Sequence, residues 1–289
     1  MRLYSVIAFI SLYLLTACQS NIDATGEIVF QTTRENGRDT LATMNPNGSD
    51  VTILDVEELS RPRYHPAWSP DGTQIAFDTP FGPRNTKIVI LNLATGEETQ
   101  LEGVEGNNEM PAWSPDGTQI AFIAGNSLYI TDLGGGEPER LTSARGNPAW
   151  SPDGTQIAYT DRNGQDLQIF VINVDGNSDA QQLTDAQNAG QPAWSPDGSQ
   201  IAFARFDRLG QQRDIAIINS DGTGFQWLIT NDADDYHPTW SPDGAYIAFS
   251  SDRSGNLDIF IARNDGTNVR NITRNSATDR APHWSSASN

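Results

Sequence analysis

The chain contains three histidines, and two of them, His65 and His237, directly precede a proline in a motif that recurs along the sequence. An imidazole can ligate a metal ion or act as a general base. These two lie in separate repeats, and the sequence places no third ligand beside them, so no metal site is predicted. A lyase site formed by His65, His237 and Arg280 stays an alternative. The sequence has no Gly-x-Ser-x-Gly elbow, and its spacing singles out no Ser, His and Asp set, so we predict no catalytic residues.

Carboxylates recur in the motif itself, within Ser-Pro-Asp-Gly turns. An aspartate in such a turn bonds to nearby backbone, which explains these residues without a ligand. Two other acidic segments, 161–166 and 232–235, have carboxylates at nearby positions that could bind a Ca²⁺ ion. Neither follows the twelve-residue EF-hand spacing, so Ca²⁺ is only a minor alternative and no other cofactor is predicted.

A twelve-residue motif positions all of these residues. It reads Pro-Ala-Trp-Ser-Pro-Asp-Gly-Thr-Gln-Ile-Ala-Phe at its first copy, and its tryptophans are 37 to 46 residues apart. Proline and glycine preset the turn, and the flanking runs are short and rich in strand-forming residues. A period near forty with this chemistry indicates a propeller or solenoid. Copies begin at Pro66, Pro111, Pro148, Pro192 and Pro238, with a truncated copy at Pro282.

The two ends of the chain complement each other. Residues 27–30 match the second strand of a repeat but lack the Pro-Ala-Trp before it, and residues 282–284 supply that piece. We therefore predict an all-β, six-bladed β-propeller of four-stranded antiparallel blades over residues 27–289, closed by a composite blade from both termini. The repeated tryptophans are expected between neighbouring blades, and His283 is expected to pack in the composite blade.

The residues just before each repeated proline vary, whereas the motif does not. Because they lead into the innermost strands, they should surround one mouth of the central channel. Loops on a rigid frame often bind partners, so this rim is the predicted partner-binding site; a hydrated rim without function is the alternative. The predicted site residues are Tyr64, His65, Glu109, Met110, Asn147, Gln191, Tyr236, His237 and Arg280.

With its Asp-Arg-x-Gly loops at Asp161 and Asp252 and strands ending in Asn-x-Asp-Gly, the repeat resembles the WD40-like repeat of the TolB propeller over residues 27–285. In that family the propeller receives the peptidoglycan-associated lipoprotein Pal around its channel opening. The resemblance thus implies a non-catalytic module that binds an envelope protein. TolB proteins also carry an α/β domain before the propeller, for which the sequence leaves no room after Cys18. A receptor for a sugar or small molecule at the same rim is the alternative.

Residues 1–17 read as an export signal. Arg2 precedes an apolar run over 3–15 that is shorter than the roughly 20 residues of a spanning helix. Leu15-Thr-Ala-Cys18 resembles the bacterial lipobox, so Cys18 is the expected lipidated N-terminus, and 18–26 form a tether of about 27 Å at most. An ordinary signal peptide is the alternative. We expect a lipoprotein on the outer membrane facing the periplasm, or on the outer face of the cytoplasmic membrane in a single-membrane organism.

The formal net charge is −19, and it becomes −20 once Arg2 leaves with the signal. Such a surface repels phosphate backbones, which excludes nucleic acid and favours basic or neutral partners. Cys18 is the only cysteine, so the exported body has no disulfide. We expect it to be a monomer.

Overall fold

The computed structural model describes residues 22, 24–54, 61–102, 104–176, 178–185, 188–206 and 212–286. All regular structure in this part of the chain is β, in strands β1 to β24. Nothing within it forms a helix long and apolar enough to cross a bilayer.

The strands form six four-stranded antiparallel sheets, which confirms the predicted six-bladed propeller. Blades 1 to 3 follow one another along the chain. Blade 1 consists of β4 (Tyr64–Trp68), β5 (Gln74–Pro80), β6 (Thr86–Asn92) and β7 (Glu98–Gln100); blade 2 of β8 (Asn108–Trp113), β9 (Gln119–Ala124), β10 (Ser127–Asp132) and β11 (Glu139–Ser143); blade 3 of β12 (Gly146–Trp150), β13 (Gln156–Asn163), β14 (Asp166–Asn173) and β15 (Gln181–Gln182).

Blades 4 and 5 continue this order, and blade 6 combines both ends of the described chain. Blade 4 consists of β16 (Ala189–Trp194), β17 (Gln200–Phe206), β18 (Arg213–Asn219) and β19 (Gln226–Ile229); blade 5 of β20 (Asp235–Trp240), β21 (Tyr246–Ser251), β22 (Asp258–Arg263) and β23 (Arg270–Asn271); blade 6 of β24 (Asp279–Trp284), β1 (Ile28–Thr32), β2 (Thr40–Met44) and β3 (Thr52–Ile53).

Closure of the ring occurs inside blade 6, where β24 pairs with β1. Ile28 is opposite Trp284 and Thr32 is opposite Asp279. The ladder extends one step further, because the Ser285 N–H donates to the Glu27 carbonyl at 2.8 Å. The composite blade predicted from the two sequence ends is therefore confirmed, and no sheet edge stays open between the first and last blades.

The propeller has two faces, which we call the mouth and the base. The mouth is the face where each innermost strand begins, and the base is the face with the Ser-Pro-Asp-Gly turns. In the first of these turns Ser69 Oγ donates to Asp71 Oδ1 at 2.6 Å, and the Thr73 N–H donates to the same oxygen at 3.0 Å. The repeated aspartates are thus held by their own turns.

Tryptophans at the ends of the innermost strands connect neighbouring blades. In blades 2 to 5 each indole Nε1–H donates to the backbone carbonyl that precedes the tryptophan of the preceding blade. These bonds join Trp113 to Ala67 (3.1 Å), Trp150 to Ala112 (3.1 Å), Trp194 to Ala149 (3.1 Å) and Trp240 to Ala193 (3.2 Å).

Arginine side chains cover the repeated phenylalanines on the mouth side of three consecutive blades. Each guanidinium also pairs with a buried or nearly buried carboxylate, and arginine suits this double role because its planar group stacks and bonds at once. Arg253 lies 5.3 Å from the Phe249 ring centroid and pairs with Asp235 at 2.9 Å. The same arrangement joins Arg34 to Phe30 (5.4 Å) and Asp279 (2.8 Å), and Arg63 to Phe77 (5.2 Å) and Glu98 (2.8 Å).

Candidate functional site at the channel mouth

Every innermost strand contains a β-bulge at the residue before its repeated proline. In blade 1 the register passes from Tyr64 opposite Asp78 to Ala67 opposite Ala76. The bulge residue has a left-handed backbone, which costs a residue with a side chain about 1 to 2 kcal/mol, and such bulges re-aim side chains. The φ values are 47° for His65, 57° for Met110, 53° for Asn147, 60° for Gln191, 50° for His237 and 49° for Ala281.

Five of the six bulges donate their backbone N–H to a side chain of the preceding blade. Three of these acceptors occupy the same position, directly after the repeated Phe or Tyr of the second strand. The bonds run from Met110 to Asp78 (3.2 Å), from Gln191 to Thr160 (3.3 Å) and from Ala281 to Ser250 (3.0 Å).

In blades 2 and 4 that acceptor position is apolar, with Ile123 and Ala204. There the bulge side chain itself accepts the bond from the next blade. The Asn147 N–H donates to Met110 Sδ at 3.3 Å, and the His237 N–H donates to Gln191 Oε1 at 2.9 Å. Met110 and Gln191, predicted as rim residues, therefore also bind neighbouring blades together. An apolar residue after the repeated Phe is the sequence signal that marks this role.

His65 is oriented by a carboxylate that the sequence did not single out. Its Nδ1 lies 2.7 Å from Oδ1 of Asp78, which is 3% exposed. Burial lowers the pKa of His65, but the hydrogen bond and charge of Asp78, with the charge of Glu109, outweigh it and raise that pKa above its ordinary value. With Nδ1 held by Asp78, only Nε2 of this imidazole is left to meet a ligand.

His237 has the opposite character. The Gln191 carboxamide donates from Nε2 to His237 Nε2 at 2.9 Å, because its Oε1 already accepts the His237 N–H. Burial, then the charges of His65 and Arg280, lowers the pKa of His237 to about 3. The ring is therefore neutral with its proton on Nδ1, which is buried and has no partner among the described residues.

These environments do not form a metal centre. One imidazole is bonded to a carboxylate and the other to a carboxamide, and in the part of the chain that the structure describes no three His, Cys, Asp or Glu residues converge to hold a metal ion. The acidic segments weighed for Ca²⁺ have protein partners: Asp235 binds Arg253 through both oxygens, Asp234 accepts the Tyr236 hydroxyl at 2.9 Å, and Asp161 accepts Ser143 Oγ at 2.8 Å.

His283 occupies a position where most repeats have alanine, and it lines the channel. Its Nδ1 accepts the Trp68 N–H at 3.1 Å, so it also connects the composite blade to blade 1. Burial lowers the pKa of His283 to about 4, which keeps the ring neutral. The expectation that it packs inside the composite blade was incomplete, because the side chain faces the channel and reaches the next blade.

The residues one position earlier make the mouth asymmetric. Blades 5, 6 and 1 carry Tyr236, Arg280 and Tyr64, and Arg280 Nη2 pairs with Asp39 at 3.1 Å. Blades 3 and 4 carry Gly146 and Gly190 instead, so the rim has no side chain there. At this position of the innermost strands, aromatic and arginine side chains are therefore confined to one arc of the mouth.

Blade 2 carries Glu109 at this position of the rim. Its carboxyl is half-buried, and burial, together with the charge of Asp78, raises the pKa of Glu109. Thus all nine predicted rim residues surround the mouth, whereas Cys18 lies outside the described residues.

Below the rim the channel forms a cavity of about 470 Å³. Each of the repeated prolines lines it, and so do the motif alanines of four blades, so the wall is largely apolar. Thr239 and His283 are polar at the alanine position. A cavity of this size and character lies within the range of small-ligand sites.

The closed ring of four-stranded blades around a lined channel defines a six-bladed β-propeller without further domains among the described residues. The family described as the TolB beta propeller domain matches residues 14–191 and 148–289. The chain belongs to this family. No curated protein matches it.

Solved structures of the same fold include TolB from Acinetobacter baumannii (TM-score 0.74, 24% identity, 90% of this chain and 66% of that one) and a putative TolB from Agrobacterium tumefaciens (0.70, 19%, 90% and 98%). An oligogalacturonate lyase from Vibrio parahaemolyticus is more distant (0.56, 17%, 86% and 73%). These identities show the fold alone. The chain spans just under two thirds of the Acinetobacter protein.

Proposed function

We propose that this protein is a non-catalytic lipoprotein of the cell envelope that binds a protein partner at the mouth of its propeller. The partner is Pal-like or another envelope component, and it is basic or neutral, since the body carries a strongly negative charge. Cys18 anchors the protein to the membrane, and the protein acts as a monomer without nucleic acid.

One observation carries this proposal. Six equivalent bulges, all with a left-handed residue at the same position, hold five different types of residue at one opening. Backbone strain of this kind persists where the surrounding structure enforces it, and it concentrates at functional sites. The arc of Tyr236, Arg280 and Tyr64 adds the residue types that dominate binding energy in protein interfaces.

The test is a pull-down from the cell envelope of the source organism. The bait is the body from residue 19 to 289, and the mouth variant combines Tyr64→Ala, Tyr236→Ala and Arg280→Ala. A matched control, Glu97→Ala, removes an exposed side chain at the base. We expect the envelope partner to be recovered with wild type and control and reduced about tenfold or more with the mouth variant, as for hot-spot residues. Equal recovery with the mouth variant contradicts the assigned surface.

The cavity supports a second candidate, a receptor for a sugar or small molecule. It has the volume for such a ligand, and its wall includes five of the predicted rim residues, His65, Met110, Asn147, Gln191 and His237. A thermal-shift screen against oligosaccharides and divalent ions, Ca²⁺ included, tests it: a shift that the mouth variant abolishes favours the receptor, and no shift favours the protein partner.

Catalysis by His65, His237 and Arg280 is a weaker candidate. His237 accepts a hydrogen bond at Nε2 and has a pKa of about 3, so it is a poor proton acceptor. Arg280 is paired with Asp39. Only His65 retains the geometry of a general base.

A further inference from the structure

We propose that the propeller stands on the membrane with its base toward the lipid and its mouth toward the aqueous compartment. This inference rests on the proposed anchor at Cys18 and adds the direction from which the partner approaches. A partner then meets the mouth from the compartment rather than from the lipid beneath the propeller.

The chain enters the propeller at the base. β1 begins with Ile28, which pairs with Trp284 at the base end of β24, and it runs to Thr32, which pairs with Asp279 at the mouth end. The described residues just before Ile28 therefore enter the propeller at the base. The strand directions alone place the entry of the chain and the candidate site at opposite faces.

Hydrogen bonds fix the last residues of the tether to the base. Trp284 Nε1 donates to the Thr25 carbonyl at 2.9 Å, and the Glu27 N–H donates to Ser285 Oγ at 2.9 Å. Gly26 between them has a φ of 85°, and a Cβ at this position would lie 2.9 Å from Ser285 Oγ. The left-handed turn needs a glycine here, so the path of the chain is determined by close packing.

The tether is packed still further toward the anchor. Ile22 and Ala24 lie against the apolar cluster that includes Trp284 and Ile272, between blades 5 and 6. Four residue steps separate Ile22 from Cys18 in the sequence, and four fully extended steps span about 14 Å at most. This reach is about half the 27 Å that the sequence suggested. It is also shorter than the distance from base to mouth, which is roughly 23 Å along a seven-residue strand. An anchor with this reach therefore holds the base, and not the mouth, near the lipid.

Charge distinguishes the two faces as well. The described base turns contain carboxylates in every blade, and hydrogen bonds from the motif serines lower the pKa of Asp71, Asp116, Asp153 and Asp197. Arg263 and Arg270 add positive charge at the base of blade 5, but most of the described arginines occupy the mouth half. The base carboxylates are Asp50, Asp71, Glu97, Asp116, Glu137, Asp153, Asp175, Asp179, Asp197, Asp221, Asp243 and Asp265; arginines of the mouth half include Arg34, Arg61, Arg63, Arg84, Arg145, Arg213, Arg253 and Arg280.

An acidic base does not adhere to an anionic bilayer. Electrostatic repulsion acts over a Debye length of about 8 Å at physiological salt. The reach of about 14 Å from Cys18 to Ile22 exceeds this length. The tether therefore determines that the base faces the lipid. The negative charge of the base determines its distance from the bilayer, so the base lies near the lipid without touching it. Anionic lipid should push the base outward, and salt should reverse that effect.

Two cysteine substitutions in one blade test the orientation. Gly82→Cys lies in an exposed mouth loop where an added Cβ meets nothing within 4 Å, and Ala94→Cys lies in an exposed base turn. Acylation occupies the single native cysteine, so each variant of the full-length lipoprotein offers one labelling site. A thiol fluorophore is attached in vesicles whose headgroups carry a quencher, in zwitterionic lipid and in lipid with anionic headgroups.

We expect quenching about threefold or more stronger at position 94 than at position 82, because roughly 23 Å separates the two turns. Anionic lipid should weaken the signal at position 94. Equal or reversed quenching in protein shown by mass spectrometry to be acylated overturns the orientation and leaves the proposed anchor intact. Absence of the acyl chain, with no quenching at either position, overturns the anchor and the orientation with it.

Discussion

Gln191 and His237 form a closed pair across the boundary between blades 4 and 5. The Gln191 carboxamide accepts the His237 backbone N–H and donates to His237 Nε2, both at 2.9 Å. The pair replaces the acceptor that Ala204 cannot provide, and it fixes the tautomer of a histidine at the mouth. The candidate site and the contact between blades therefore share the same atoms.

Gln191→Ala should lower the free energy of unfolding by about 1 to 3 kcal/mol, because it leaves the partly buried N–H and Nε2 of His237 without their partner. Urea unfolding followed by tryptophan fluorescence measures this change. The control Gln165→Ala, in an exposed turn of blade 3, should stay within about 0.5 kcal/mol. Equal effects of the two substitutions would contradict the pair.

Two histidines should make stability depend on pH in a defined window. The folded pKa values of His237 and His283 are about 3 and about 4, below the ordinary 6.5. Between the folded and the unfolded pKa values, the unfolded chain binds more protons than the folded chain. The contribution of His237 and His283 to stability is therefore fully present above pH 6.5 and is lost as the pH falls. His65 acts in the opposite direction, because its pKa is raised, and its contribution is lost as the pH rises above 6.5.

Unfolding free energies near pH 7, 6 and 5 test this dependence, with a slope of up to about 1.4 kcal/mol per pH unit for each depressed histidine. NMR titration provides the control: His237 and His283 should stay neutral to about pH 5, while His65 titrates above 6.5. Titration of His237 near its ordinary value would contradict the lowered pKa.

The architecture could be predicted because repetition reports position directly. Matching motif residues, such as Pro66 and Pro238, occupy equivalent positions in two blades. The strand missing before residue 27 and the extra strand at the C-terminal end define the composite blade. The rim followed from the same register. For these features the sequence was sufficient.

The chemistry at the rim could not be predicted in the same way. No sequence pattern identified the residue before each repeated proline as left-handed. The hydrogen-bond partners of the mouth residues lie on other strands or other blades. Asp235 and Arg253 are 18 residues apart, and Gln191 and His237 are 46 apart. Such pairs need the strand register before they can be recognised.

Among the described residues, the boundary between blades 6 and 1 lacks the indole hydrogen bond found between blades 1 and 2, and tryptophan substitutions should detect this difference. Trp113 Nε1 donates to the Ala67 carbonyl, whereas Trp68 Nε1 is buried without a partner among the described residues. Trp113→Phe removes a hydrogen bond, but Trp68→Phe removes an unsatisfied donor. We expect Trp68→Phe to cost about 1 to 3 kcal/mol less in unfolding free energy than Trp113→Phe.

Both tryptophans are at least nine-tenths buried, so the loss of apolar area is similar and nearly cancels between the two variants. Trp150→Phe, which loses the bond to Ala112, serves as a second reference and should resemble Trp113→Phe. Equal costs for all three would show that the Trp68 indole finds an acceptor in solution.

The bulge at Asn147 separates backbone strain from side-chain recognition. Its φ of 53° suits Gly and Asn but not a β-branched residue, so Asn147→Val should destabilise by about 1 to 3 kcal/mol, while Asn147→Gly should change stability by less than about 1 kcal/mol. Thermal unfolding measures both. Both variants remove the same carboxamide. If Asn147 contacts the partner directly, the loss of that contact should weaken binding equally in the two variants. If only Asn147→Val weakens binding, the bulge acts by shaping the mouth, and the carboxamide itself is not recognised.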